Sequence, residues 1–269
     1  MKNRVTYEID QGVADVRLVR TDKSNALDGA MFDALIDCGT QLKNTAGLRA
    51  VVISGEGSGF CAGIDMDVLK EMEGGAIAGA ADIVTRTHGV CNRFQYAAWI
   101  WREMPVPVIA AVHGFALGGG FQLALGADMR FVAPDAKMAL MEVKWGLVPD
   151  MGATHLMCHL VREDLVRDLG FTGRVFNGTQ AHEYGLATRL SNAPHTEALQ
   201  AARDIADKSP SAMRALKRLF NGAYDQPARD RLTQETIEQQ KLVGGPDQVE
   251  TVESRRMRRA PVFADAREG

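Results

Sequence analysis

The sequence predicts an α/β protein with parallel strands and right-handed crossovers, followed by a helical C-terminal segment. Three observations carry this. Two apolar runs, residues 49–54 and 106–112, have the length and composition of strands buried on both faces. Glycine turns and helix-spaced apolar residues alternate with such strands through the first two-thirds of the chain. From Thr196 onward the pattern is helical almost throughout, with Pro210, Pro227 and Pro246 near helix starts.

The elements follow in order. Residues 5–9 and 13–18 alternate with period two around Gln11-Gly12, which reads as a hairpin. Asp28 can cap a helix carrying Met31, Leu35, Ile36 and Leu42 at helical spacing. The buried strand 49–54 ends in Gly55-Glu56-Gly57-Ser58-Gly59. Residues 73–81, rich in glycine and alanine, read as a loop or weak helix. A long helix is expected over 82–103, stopped by Pro105 and Pro107. The second buried strand leads through Gly118-Gly119-Gly120 into a short helix over 121–127 and a third strand over 129–132. Further helices are expected over 196–207, 211–224, 228–243 and 247–259, with a domain boundary near Ser209.

Composition narrows the function classes. A chain of 269 residues can bury a sizeable core in one large domain, alone or with a small helical one. Its net charge of −3, with no basic run before the last helix, argues against nucleic acid. No apolar run reaches the roughly 18 to 20 residues of a membrane span. Cys38, Cys61, Cys91 and Cys158 are scattered without a Cys-x-x-Cys pair, so reduced, buried cysteines are expected. The polar, alternating stretch of residues 1–10 shows no signal peptide, and a cytoplasmic location is expected.

Two segments carry chemistry. Phe60-Cys61-Ala62-Gly63-Ile64-Asp65 follows one buried strand, and the stretch from His113 to Gln122 follows the other. At Gly118, Gly119 and Gly120 a ligand can approach the main chain closely. Gly119 and Gly120 should also lie at a helix N-terminus, where free N–H groups favour negative charge. Two amides converging on one point would form an oxyanion hole. Taken alone, a triple glycine fits a flexible turn or close helix–strand packing better. It is neither Gly-x-Gly-x-x-Gly nor a phosphate-binding P-loop.

Together these segments resemble the enoyl-CoA hydratase/isomerase family, or crotonase superfamily. Residues Phe60 to Asp65 are similar to its F-(S/C)-A-G-x-D element, and Pro107 to Gly120 to its P-x-I-A-A-V-x-G-x-A-x-G-G-G element. Asn25-Ala26-Leu27 fits its N-A-L element, and Arg259-Ala260-Pro261-Val262-Phe263 its R-x-P-x-F. The resemblance covers nearly the whole chain. It implies a spiral of ββα units with an acyl-CoA site over 1–208, and a helical trimerisation segment over 209–269. The expected assembly is a homotrimer, often paired into a hexamer. It further implies oxyanion-hole amides at Ile64 and Gly119. Asn25, Ala26, Leu27 and Ala62 fall where relatives hold CoA, largely through backbone groups. No metal or redox cofactor is implied, since CoA arrives with the acyl-CoA substrate.

The acid/base residues choose the reaction. Hydratases of the family usually carry two glutamates over the acyl chain. The first position is Gln122 here, whose amide can orient a group but cannot take a proton at neutral pH. The second matches Glu142, and Asp150 follows eight residues later where hydratases commonly have glycine. A glutamate and an aspartate so spaced resemble the dienoyl-CoA isomerases. Asp150 also matches the nucleophile of chlorobenzoyl-CoA dehalogenases, but those enzymes have tryptophan where Glu142 stands. Without the resemblance, Glu142 could equally pair with Lys144 or Arg130, and Asp150 could cap a helix starting near Gly152. The sequence thus points to an enoyl- or dienoyl-CoA isomerase, with Gln122 shaping the pocket. A hydratase using Glu142 and a non-catalytic acyl-CoA-binding protein are the alternatives. Phe94, Trp99 and Trp101 could line the acyl pocket, though core packing is their commoner use. His88, His155 and His159 show no partner arrangement, and His113 is expected to bond the backbone. Arg255, Arg256, Arg258 and Arg259 read as a solvated face or a contact for a CoA phosphate.

Overall fold

The chain starts its sheet with the expected hairpin. Strands β1 (Val5–Asp10) and β2 (Val13–Leu18) pair antiparallel, and Gln11 and Gly12 both take positive φ, as a two-residue turn requires. This is a computed structural model describing residues 4–80, 82–224 and 226–265; residues 1–3 and Ala81, to which the sequence reading extends, lie outside the described residues. Helix α1 (Gly29–Lys43) is capped by Asp28, whose carboxylate accepts from the Met31 N–H at 2.8 Å. It crosses to β3 (Ala50–Gly55), parallel to β2. Helices α2 (Met66–Met72) and α3 (Arg93–Glu103) lead to β4 (Val108–Val112), parallel again.

The third turn of the chain inserts β5 (Phe115–Leu117) and α4 (Gly119–Leu125) before β6 (Met129–Val132). The fourth inserts β7 (Lys137–Ala139), α5 (Ala153–Cys158), α6 (Glu163–Thr172) and α7 (Gly178–Tyr184) before β8 (Arg189–Leu190). The six-stranded sheet therefore runs β1-β2-β3-β4-β6-β8, parallel from β2 to β8, and β5 pairs with β7 in a second, two-stranded sheet. Helices α8 (Pro194–Ala206), α9 (Pro210–Asn221), α10 (Ala228–Leu242) and α11 (Pro246–Met257) complete the chain, close to the expected positions.

The continuous apolar runs of β3 and β4 have a direct cause. One sheet face packs with α1, α3 and α4 in the main core. The other face, through Val52, Ile109 and Phe131, meets α8, whose Ala198 and Ala202 let the helix approach closely. Helix α9 then returns to the core. Lys217, 6% exposed, donates to the Trp101 carbonyl and pairs with Asp128.

Three expectations change. The long helix over 82–103 exists only from Arg93. Asn92 and Gln95 form a capping box there, and Asp82 bends the chain beforehand by accepting from the Val84 N–H at 2.8 Å. Strands β5 and β7, of three residues each, and helices α6 and α7 were not expected. Cys158 is exposed, while Cys38, Cys61 and Cys91 are buried; all four are free thiols.

Candidate active site

The small second layer assembles the site. Isolated bridges join Cys61 to Ala116 and Leu27 to Ile64, so three chain segments distant in sequence run side by side. The Cys61 N–H donates to the Phe115 carbonyl at 3.1 Å, and the Leu117 N–H to the Cys61 carbonyl at 3.0 Å. Glycines permit this closeness. A Cβ on Gly63, whose φ is +89°, would stand 2.6 Å from the Leu117 carbonyl oxygen. One on Gly120 would stand 2.4 Å from the Cys61 carbonyl oxygen.

Two backbone N–H groups are left facing the same space. The Leu27 N–H donates to the Gly63 carbonyl at 2.7 Å, and the Asp65 N–H donates to the Leu27 carbonyl at 3.0 Å. In a parallel bridge of this kind the intervening Ile64 N–H turns away from Leu27, toward the end of β5. There the Gly118 N–H is taken by the Ala139 carbonyl at 2.9 Å, and Gly119 opens α4. Its N–H is among those that a helix cannot satisfy internally. The same Cβ built on Gly63 would be 3.6 Å from the Gly119 nitrogen, so the Gly63–Ile64 link passes close to the start of α4. The two N–H groups can bind one developing oxyanion.

A cavity of about 260 Å³ opens in front of them. Leu27, Ala62, Ile64, Gly119, Gln122, Glu142 and Asp150 line it. Met66, Leu69 and Met72 from α2 and Phe94 from α3 make its apolar wall, with Trp145, Leu147 and Val148 opposite. Of the expected aromatic lining, Phe94 faces the cavity, Trp101 is wholly buried in the core and Trp99 packs edge-on against His155. The α2 contribution left no sequence signal, because a seven-residue helix with one buried position, Val68, shows no clear face.

Among the described residues, Glu142 and Asp150 are the only ionisable groups in the lining. Glu142 starts a short 3-10 turn (Glu142–Trp145). Its Oε1 accepts from Gln122 Nε2 at 2.6 Å, and its buried Oε2 has no hydrogen-bond partner. Burial pushes its carboxyl above the usual carboxylate range, and the nearby Asp150 charge adds to this, against bonds from its own backbone N–H, Gln122 and the Met141 N–H. Burial likewise raises Asp150. The alternative partners point elsewhere. Arg130 donates to the Leu186 carbonyl at 2.7 Å and the Ala127 carbonyl at 2.8 Å, and Lys144 lies against Gly173. Nor does Asp150 cap α5, whose N-cap residue is Gly152, with no side-chain bond there.

Asn25 and Ala26 stand behind the cavity and do not line it. The Asn25 side chain is fully buried and donates to the carbonyls of Glu56 at 2.9 Å and Gly59 at 3.1 Å, tying this loop to the end of β3. The Ala26 carbonyl accepts from Arg20 at 2.9 Å. Arg20 also pairs with buried Asp65 at 2.6 Å, directly beside Ile64. Burial pushes the Asp65 carboxyl up, but bonds from the Asp67 N–H and Arg20 outweigh it and hold it below the usual range. A depressed folded-state pKa gives stability that is present above the unfolded value, near pH ~4, and is lost as pH falls through the folded one. Arg20→Met should therefore cost about 3–5 kcal/mol by leaving Asp65 buried and unpaired. Urea titration at neutral pH checks this; a cost below about 1 kcal/mol would show the pair to be dispensable.

The histidines do have partners. His155 packs against Trp99 and His159, His159 stacks on Tyr224 with ring centroids 4.1 Å apart, and His88 stacks on Tyr96 at 4.5 Å. His113 meets the Gly57 carbonyl at 3.1 Å, as expected. In the basic cluster, Arg259 pairs with Glu250 at the exposed end of α11. Among the described residues no three His, Cys, Asp or Glu side chains are grouped to hold a metal ion. No helix among them is long and apolar enough to cross a membrane.

Comparison with known proteins agrees with this geometry. Residues 8–266 match the family described as enoyl-CoA hydratase/isomerase. The chain is 32% identical over 261 residues to mouse enoyl-CoA hydratase domain-containing protein 2, mitochondrial, covering 94% of this chain and 85% of that one. It is 32% identical over 231 residues to mouse Delta(3,5)-Delta(2,4)-dienoyl-CoA isomerase, mitochondrial, covering 84% of this chain and 69% of that one. Among solved structures, an enoyl-CoA hydratase from Bacillus anthracis superposes with a TM-score of 0.85 at 26% identity, covering 97% of this chain and 99% of that one.

Proposed function

The chain belongs to the enoyl-CoA hydratase/isomerase family and has its crotonase fold, and on that premise we propose that it isomerises an unsaturated acyl-CoA thioester. One carboxylate of the Glu142–Asp150 pair takes the α-proton. The C–H electron pair moves into the thioester, giving an enolate whose oxygen accepts from the Ile64 and Gly119 N–H groups. The double bond then migrates as the other carboxylate adds a proton further along, at the γ-carbon of an enoyl chain or the ε-carbon of a dienoyl chain. The proton removed and the proton added balance, and no metal or redox cofactor enters this reading.

The observation that carries it is the direct contact of Gln122 with Glu142. A hydratase holds its attacking water between two carboxylates. Here the first of these positions is an amide, and its nitrogen is bonded to the second. Two half-buried carboxylates in one apolar cavity suit proton shuttling instead.

The test offers enoyl-, dienoyl- and saturated acyl-CoAs in heavy water. Deuterium uptake with double-bond migration and no added water is expected. A hydroxyacyl-CoA as main product would favour the hydratase reading, and binding without exchange the non-catalytic one. We also read the exposed apolar side chains Phe220, Leu232, Ile237 and Val252 on α9 to α11 as the contact face of a homotrimer or hexamer. A monomeric mass by light scattering at micromolar protein would sink that assignment.

A further inference from the structure

We propose that Gln122 is a positioning residue that sets the order of ionisation at the site, holding Glu142 as the anionic base and leaving Asp150 as the proton-bearing acid. This inference rests on the isomerase reading for its chemistry, but its geometry stands apart from it.

The amide is oriented by contacts that admit one solution. Its Oε1 accepts from the backbone N–H groups of Met151 at 2.9 Å and Ala153 at 3.3 Å. A backbone N–H can only donate, so the oxygen must face those groups and the Nε2 must face Glu142. Gln122 is 1% exposed, and both ends of its amide meet protein groups. The residue therefore spans the site. One end fixes the segment just after Asp150, and the other gives Glu142 Oε1 a donor at 2.6 Å. That leaves Glu142 Oε2 as the free, buried acceptor.

A proton shuttle along an acyl chain needs one carboxylate ionised and one protonated at the start. Both are raised by burial, and the Asp150 charge raises Glu142 further. A neutral donor bonded to one of them breaks the tie, because it stabilises only that group's anion. Gln122 provides that donor to Glu142, beside the backbone N–H groups of Glu142 itself and Met141, whereas Asp150 has only its own backbone N–H among the bonds that favour its anion. A glutamate at position 122 would reverse this. It could donate to Glu142 only by carrying the proton itself, and two carboxylates at that distance cannot both ionise.

Other charges leave this balance to the pair. Lys144, on the same turn, lies against Gly173. Helix α6, packed beside the turn, carries Glu163, Asp164, Arg167 and Asp168, which pair with Arg167, Arg162, Glu163 and Arg174 respectively at the surface. The walls from α2, α3 and the segment after Trp145 contribute apolar side chains to the cavity apart from Asp150 itself.

The experiment compares wild type with Gln122→Glu and Gln122→Met. Gln122→Glu keeps an acceptor for the Met151 and Ala153 N–H groups and replaces the neutral donor with a second carboxyl group. Gln122→Met removes both. The first readout is the Glu142 side-chain carboxyl titration by carbon-13 NMR, which needs no turnover. The second is the pH profile of α-proton exchange. The Glu142 midpoint should rise by about one pH unit in Gln122→Met and by more in Gln122→Glu. The acid limb of exchange should move up with it, lowering the rate about tenfold at a pH below both midpoints while KM changes little. An unchanged Glu142 midpoint in Gln122→Glu, or a loss confined to KM, overturns the proposal. If wild type shows no exchange on any acyl-CoA but the midpoint still moves, the ionisation order stands and the isomerase reading fails.

Discussion

Glu142→Gln should abolish proton exchange almost completely, by about 10²- to 10⁴-fold, while leaving the protein folded and KM within a few-fold of wild type. The substitution is nearly isosteric, and the new side-chain carbonyl can still accept from Gln122 Nε2. What it removes is the buried, unpartnered Oε2 as a proton acceptor. The pH dependence gives the same test a sign. Burial raises the Glu142 carboxyl, and a base must be ionised to act, so wild-type exchange should fall with acid at a pH above the ordinary glutamate value. That acid limb should vanish in the variant's residual activity. Stopped exchange assays and circular dichroism check the two halves, and an unchanged rate would remove Glu142 from the chemistry.

The second large effect is expected at Gly119. Gly119→Pro deletes one oxyanion donor without deleting the helix it begins. Proline is tolerated at the first helical position because the N–H there has no partner within the helix. A side chain at this position has to displace the Leu27 Cδ1 atom at 2.8 Å and the Met151 Sδ at 3.1 Å, both at the flexible ends of side chains. Gly119→Ala meets the same crowding but keeps the N–H. The ratio of the two variants therefore isolates the donor, and kcat should be about 10²- to 10³-fold lower in the proline variant than in the alanine one. Equal rates in the two would mean that Gly119 supplies space and not a hydrogen bond.

These experiments differ in what the sequence could foresee. Glu142, Asp150, Ile64, Gly119, Leu27, Ala62 and Gln122 were legible as candidate site residues, and all seven line one cavity. Asn25 belongs to the same short motif, yet its side chain is buried behind the cavity, bonding the carbonyls of Glu56 and Gly59. A motif records that residues occur together; it does not say which side chains line the cavity. The helix expected over 82–103 shows the limit of periodicity. Thr85, Thr87 and Gly89 lower helix propensity, and the caps at Asp82 and Asn92 decide where the helix starts. Strands β5 and β7 are too short to carry a period, though they position Gly118 and Gly119.

By itself the sequence determined the α/β class, the parallel buried strands, the C-terminal helices and the residue types at the site. These depend on burial pattern, capping and turn chemistry, which act within a few residues of each other. Only the tertiary structure decided that Gln122 bonds Glu142 across 20 positions and anchors Met151 and Ala153 across some 30. It likewise decided that Ile64 and Gly119 line one cavity, with the Gly119 nitrogen close to Gly63. Hydrogen-bond direction and free valence depend on what arrives from the other side of the cavity, and that information has no local period to be read from.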